Sequence, residues 1–179
     1  MTRKLHIGGT IPSSGWEILN IMNAPGVDHV CNARDLSKFE SNTFDCIYAS
    51  HVVEHFDYVD ELPETLSEWL RCLRPECVLY VGVPDLDTIS SLIIDKQNLD
   101  INERFFVMRM LFGGHVDDSD YHLVGLNEEF LRRYLNMAGY TDITKVQEFG
   151  FFDDTSSMKY KGRNISLNMT AVKPLENSS

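Results

Sequence analysis

The segment Cys77–Val83, Cys-Val-Leu-Tyr-Val-Gly-Val, is apolar almost without interruption. A strand with no polar alternation needs cover on both faces. Upstream of it, Leu62, Leu66, Trp69, Leu70 and Leu73 recur at helical spacing, which lays one apolar stripe against a sheet. Pro63 falls in the first turn of that helix, where its missing N–H costs little, and Arg74-Pro75 closes it. A second apolar run, Phe44–Ser50, precedes the helix. Strand, helix and strand within about 40 residues make a βαβ crossover, so the sheet is at least partly parallel.

Lys4–Ile7, Trp16–Ile21 and Val27–Cys31 read as further short strands, each closed by Gly, Pro, Asn or Asp. Only Thr10–Gly15 separates the first two, and Asn23–Gly26 the next two. A helical crossover needs about a dozen residues, so the first two crossover helices are missing. Beyond the central strand the spacing predicts three helices. They are Asp87–Asp95, Glu103–Phe112 with Asn102 as its N-cap, and Glu128–Ala138 between Asn127 and Gly139. Glu103–Phe112 is apolar nearly all round, the pattern of deep burial, a lid or a dimer face. Thr141–Phe149 reads as a strand. In 165–171, apolar residues alternate with Ser166, Asn168 and Thr170, which predicts a strand buried on one side. The connection between these two strands, about fifteen residues, exceeds most loops and is a candidate functional segment. The expectation is a single α/β domain over 1–174, its sheet mostly parallel with a C-terminal antiparallel hairpin, and a disordered tail at 175–179.

Charge narrows the partners. With 16 Lys+Arg against 27 Asp+Glu the net charge is −11, and the densest basic stretch is only Lys159, Lys161 and Arg163. Phosphate contacts need clustered cations, so nucleic acid is not an expected partner. No uncharged apolar run reaches the roughly 18–20 residues of a membrane span. Leu5-His6-Ile7 runs at once into Gly8-Gly9, leaving no signal h-region, so the expected location is cytoplasmic. There Cys31, Cys46, Cys72 and Cys77 stay reduced, and the Asn-x-Ser/Thr matches at Asn164 and Asn168 carry no meaning.

In open α/β sheets ligands bind beyond the carboxyl ends of the strands. That rule selects Gly8-Gly9-Thr10, Asn20, Asn32-Ala33-Arg34-Asp35, Ser50-His51 and Pro84-Asp85. Gly8-Gly9 lets backbone approach a ligand with no Cβ between. Asn20 and Asn32 each offer a carbonyl oxygen and an amide. Ser50-His51-Val52-Val53-Glu54-His55 is the most unusual stretch. On a helix, His51 and His55 would share one face with Glu54 beside them, but the order is not that of H-E-x-x-H and no third ligand is evident. No metal is therefore expected there. A second cluster, Gly113 to His122, puts His115, Asp117, Asp118, Asp120 and His122 on a loop after a Gly-Gly hinge. It reads as a solvated connector or as a mobile lid carrying a general base. No G-x-S-x-G or G-x-x-x-x-G-K-[ST] pattern occurs, which excludes the corresponding hydrolases and nucleotide triphosphatases.

Taken in order, Lys4-Leu5-His6-Ile7-Gly8-Gly9-Thr10, Gly15-Trp16-Glu17-Ile18-Leu19-Asn20 and Ala33-Arg34-Asp35-Leu36 form one half of a familiar string. Ser50-His51-Val52-Val53-Glu54-His55, Leu73-Arg74-Pro75 and Val83-Pro84-Asp85-Leu86 form the other. The string resembles the class I, Rossmann-like S-adenosylmethionine-dependent methyltransferases, and more narrowly a short bacterial subgroup of the methyltransferase-11 type. The resemblance implies S-adenosylmethionine as cofactor and S-adenosylhomocysteine as product. Gly8, Gly9 and Thr10 would then line the methionine end, Asn20 the ribose, and Asn32 and Ala33 the adenine, with Arg34 also at the cofactor. Ser50 and His51 would stand next to the methyl group. Three departures stand out. The usual acidic residue before G-x-G is absent from His6-Ile7-Gly8-Gly9-Thr10, and Asn20 and Asn32 replace carboxylates.

The leading expectation is a methyltransferase acting on an O or N atom of a small polar acceptor, with a saccharide type suggested by the resemblance. His122 and His51 are its candidate bases and Glu54 an orienting group. A rival is a non-catalytic binding module of the same fold, which uses the helical segment 101–126 as an interaction or dimer surface. A third is a metal-dependent enzyme using His115, Asp118, Asp120 and His122.

Overall fold

The computed structural model describes residues 2–117 and 120–175. Asp118 and the tail beyond Leu175 lie outside the described residues. In chain order the elements are β1 (Lys4–Ile7), β2 (Trp16–Asn20), β3 (His29–Val30), β4 (Phe44–Ser50), α1 (Glu61–Cys72) and β5 (Leu73–Pro84). There follow α2 (Leu86–Ile94), α3 (Ile101–Phe112), α4 (Glu128–Ala138), β6 (Thr141–Val146), β7 (Lys159–Tyr160), β8 (Arg163–Asn164) and β9 (Ser166–Val172). Seven strands form one sheet in the order β3-β2-β1-β4-β5-β9-β6. The first five run parallel, and β9 is antiparallel to both β5 and β6. β7 and β8 make a small separate ribbon.

The expected α/β architecture and the missing early helices are both present. Between β1 and β2, and between β2 and β3, the chain only turns, and 31–43 between β3 and β4 also holds no helix. Several ends differ from expectation. β2 stops at Asn20, β3 keeps only His29–Val30, and β6 stops at Val146. α3 is capped by Asp100, not by Asn102. One Asp100 carboxylate oxygen accepts the N–H groups of Asn102 and Glu103 at 2.8 Å each, and Glu103 returns a carboxylate to the Asp100 N–H at 2.9 Å. Nor is α3 deeply buried: only Val107 is, while Phe105, Phe106 and Phe112 face outward.

One sheet face carries the main core. Leu5, Ile47, Leu79 and Ala171 lie in one register row, and Ile7, Ala49, Val81 and Met169 in the next. Leu62, Leu66 and Trp69 of α1 and Leu131 and Leu135 of α4 cover both rows. The four cysteines are free, and burial pushes the Cys46 thiol up to about 12, so it is an inert core group.

The opposite face carries the row His6, Tyr48, Tyr80 and Thr170. No helix from the early crossovers is there to cover it. The segment 147–158 folds back and does so. Phe152 packs on His6 at 4.1 Å and on Tyr48 at 4.8 Å between ring centroids, and Phe151 packs on Tyr80 at 4.9 Å and on Trp16 at 5.5 Å. Hydrogen bonds fasten this strap. The Tyr48 hydroxyl donates to Asp154 at 2.6 Å, the Asn168 amide to the carbonyls of Gln147 and Ser156 at 3.0 and 2.8 Å, and the Ser166 hydroxyl to the Thr155 carbonyl at 2.7 Å. β9 is therefore covered on both sides, contrary to its polar alternation. Ser166 and Asn168 face in because the strap's backbone needs partners where water is excluded.

Burial under the strap lowers His6 to about 4, against a weaker pull upward from Asp154. The folded state thus prefers neutral imidazole. Its contribution to stability is complete above the ordinary histidine value of 6.5 and is lost as pH falls toward 4. Between pH 7 and pH 4.5 the wild type should lose roughly 2–3 kcal/mol more than His6→Phe, measured by denaturant unfolding.

Candidate functional site

A cleft of about 650 Å³ opens beyond the carboxyl ends of β1, β2, β3 and β4, within the roughly 300–1,000 Å³ usual for small-molecule sites. Six of the residues expected at a cofactor site line it: Gly8, Asn20, Asn32, Ala33, Arg34 and His51. Gly9, Thr10 and Ser50 do not. Gly9 is buried instead against His6, and a Cβ there would sit 2.6 Å from the imidazole Nδ1. Gly8 is held at φ +84°, and a Cβ on it would meet Val52 at 2.7 Å. The backbone of the glycine turn thus forms part of the cleft wall where no other side chain fits. Ile21 and Met22 add an exposed apolar lip.

Asn20 is committed to the turn itself. Its amide donates to the carbonyls of Gly8 at 3.1 Å and Gly9 at 3.0 Å, and its Oδ1 accepts the Met22 N–H at 2.9 Å. A carboxylate has no hydrogen to give those two carbonyls, which explains why Asn stands here. Asn32 Oδ1 accepts the Arg34 N–H at 3.0 Å in an Asx turn. The Arg34 guanidinium pairs with Glu61 at the cleft edge.

At the far wall a short 3₁₀ turn, Val53–His55, sets Glu54 inward with 1% exposure. Neither carboxylate oxygen has a hydrogen-bond partner. His51 Nδ1 stands 3.2 Å from Oε1, an ion-pair distance without hydrogen-bond alignment. Burial pushes the Glu54 carboxyl up, but His51 above all, with His55 and His122, pulls it below its ordinary value. The Ser166 hydroxyl spends its one proton on Thr155, so at 2.8 Å it accepts from His51 Nε2. His51 is therefore hydrogen-bonded at Nε2, while its Nδ1 faces Glu54.

His122 reaches this place from a remote segment. The Glu54 carbonyl accepts the Leu123 N–H at 2.7 Å, and His55 Nδ1 bonds the Tyr121 carbonyl at 3.0 Å. His122 Nδ1 bonds the Leu111 carbonyl at 3.2 Å, and burial lowers its pKa, favouring neutral imidazole. The rings of His55 and His122 meet edge to face at 4.8 Å. His55 and Tyr121 line the cleft; His122 stands behind them. The set His115, Asp120 and His122 is not gathered. His115 stacks on Tyr121 at 4.0 Å and bonds the Phe112 carbonyl, while Asp120 accepts the Val116 N–H. Local sequence does not place His55 in this site, because its partner Tyr121 lies 66 residues away.

A methyltransferase-domain family model matches residues 19–81. No curated protein matches the chain in sequence. A SAM-dependent methyltransferase from Archaeoglobus fulgidus superposes with a TM-score of 0.62 at 17% identity, over 96% of this chain and 86% of that one. The CurJ carbon methyltransferase gives 0.56 at 17% identity, over 97% of this chain and 49% of that one. The phosphoethanolamine N-methyltransferase 2 of Haemonchus contortus, solved with S-adenosyl-L-methionine, gives 0.55 at 13% identity, over 97% and 49%. The chain spans about half the length of the last two. By fold it is a Rossmann-like α/β protein with a mostly parallel sheet. More narrowly, its fold is the one shared by these methyltransferase structures.

Asn20→Asp replaces two donated hydrogen bonds by a carboxylate facing two carbonyls. It should destabilise the protein by roughly 2–3 kcal/mol in denaturant unfolding, whereas unchanged stability would remove the latch role.

Proposed function

We propose that the chain is an S-adenosylmethionine-dependent methyltransferase acting on an O or N atom of a small polar acceptor, with saccharide hydroxyls in that class. The observation that carries this reading is the cleft, edged by the glycine turn, at the carboxyl ends of four parallel strands. The residues fit the cofactor at Gly8, whose missing Cβ opens the wall, and at Asn32 and Arg34, which offer polar groups beside Ile21 and Met22. Asn20 acts indirectly, by holding the turn. When bound, the cofactor supplies an electrophilic methyl group on a sulfonium.

The Glu54 cluster is the acceptor side of the cleft. An acceptor O–H or N–H must lose its proton as it is methylated. His55 and His122, each with Nδ1 bonded to a carbonyl, keep Nε2 for that side. His51, held at Nε2 by Ser166 with Nδ1 beside Oε1, orients Glu54. Calorimetric titration should give one-to-one binding of S-adenosylmethionine or S-adenosylhomocysteine to micromolar protein. No heat at millimolar ligand would overturn the reading.

A specific observation favours the binding-module reading as a second. Ile101, Phe105 and Phe112 on and beside one exposed flank of α3 are 67%, 60% and 51% exposed. In this reading a second copy covers them. Light scattering after size exclusion should find a dimer that Phe105→Glu dissociates, and a strict monomer at high concentration would dispose of it.

A further inference from the structure

Glu54 combines features that the methyltransferase reading leaves unexplained. It is a carboxylate almost wholly removed from water, with two oxygens that no donor satisfies. A buried carboxyl of this kind is costly unless a hydrogen-bond donor or a cation compensates it. His51 stands at ion-pair distance from Oε1 only. Oε2 has no hydrogen-bond partner at all.

Two neighbouring imidazoles are prepared as ligands. In each of His55 and His122, Nδ1 bonds a backbone carbonyl, of Tyr121 and of Leu111 respectively. That outer bond fixes the tautomer and leaves the Nε2 lone pair for an ion. One ligand atom each from Glu54, His55 and His122 lies within 4.8 Å of the others. Around a tetrahedral ion with bonds of about 2.1 Å, ligand atoms stand about 3.4 Å apart. The widest pair would need to close by up to about 1.4 Å, within reach of side-chain torsion adjustments. The segment carrying His122 is already pinned, because the Glu54 carbonyl accepts both the Leu123 and Val124 N–H groups.

We propose that Glu54, His55 and His122 bind one divalent metal ion of the zinc class at the wall of the cleft. Two imidazoles and one carboxylate suit a borderline cation better than calcium or magnesium, which prefer an all-oxygen shell. Three protein ligands leave at least one coordination position open, and His55 places that position on the cleft side. The proposal departs from the expectation that the S-H-V-V-E-H stretch holds no metal, because the third ligand comes from the other histidine cluster. Under the methyltransferase reading, on which this one consequence rests, the open position receives the acceptor oxygen and lowers its pKa. The metal, not a free imidazole, would then prepare the acceptor. Ion binding itself is independent of that reading.

The test uses the untagged full chain and Co²⁺ or Zn²⁺ alone, with no cofactor present. After chelator treatment, titration with Co²⁺ should reach one equivalent and develop the visible d–d bands of a low-coordinate site. Zn²⁺ should displace it and raise Tm. His122→Ala and Glu54→Gln should each weaken Co²⁺ binding at least tenfold, whereas His115→Ala should bind as the wild type does. A wild type that takes up no stoichiometric Co²⁺ or Zn²⁺ would overturn the proposal, whether or not a variant folds. Equal binding by wild type and His122→Ala would also overturn it. S-adenosylmethionine binding without metal uptake would overturn only the metal site, and the reverse only the cofactor reading.

Discussion

A parallel sheet is stable only when both its faces are dry, and short early crossovers make that hard to achieve. Here the connections from β1 to β2 and from β2 to β3 are too short for helices, so one face would expose His6, Trp16, Tyr48 and Tyr80. The rest of the structure answers that constraint. The chain borrows cover from its far end, where the strap places phenylalanine rings over the row. A strap has less internal hydrogen bonding than a helix, so its carbonyls at Gln147, Thr155 and Ser156 take donors from Ser166 and Asn168 of β9. The polar residues of β9 and the aromatic residues of β1, β4 and β5 are thus two halves of one solution.

The same shortening acts on the glycine turn. With no helix continuing from it, the turn is not held by a helical ladder. Asn20 supplies the missing tether from the end of β2, donating to both glycine carbonyls. A carboxylate at this place would be free to meet a ligand's hydroxyls but would not hold the turn. The two demands conflict at one side chain, and the chain has met the mechanical one.

Much of this was legible in the sequence. The helix of Leu62, Leu66 and Trp69, the strand after it, the missing crossovers and the parallel sheet all follow from spacing and length, because burial periodicity is a local property. The cleft was legible too, through the residues that leave each strand, and Gly8, Asn32, Arg34 and His51 do line it. What stayed hidden is whatever depends on pairing distant segments. Alternation in 165–171 suggested a wet face because nothing local announces a strap. The apolar α3 suggested burial, yet the side that Val107 buries is narrow. His55 and His122 looked like members of two unrelated clusters, since only the bonds from 121–124 to the Glu54 turn bring them together.

The serine hydroxyl at position 166 sits between these two halves of the molecule. It gives its single proton to the strap at Thr155 and receives one from His51, whose other nitrogen faces Glu54. A hydroxyl with one proton is a directional relay. While the strap is down, the two bonds from His51 through Ser166 to Thr155 point the same way. If the strap lifts, Ser166 regains a proton to donate, and it can turn toward His51 instead of accepting from it. The packing of aromatic rings on one face of the sheet is thereby written into the hydrogen-bond polarity beside a buried carboxylate on the other.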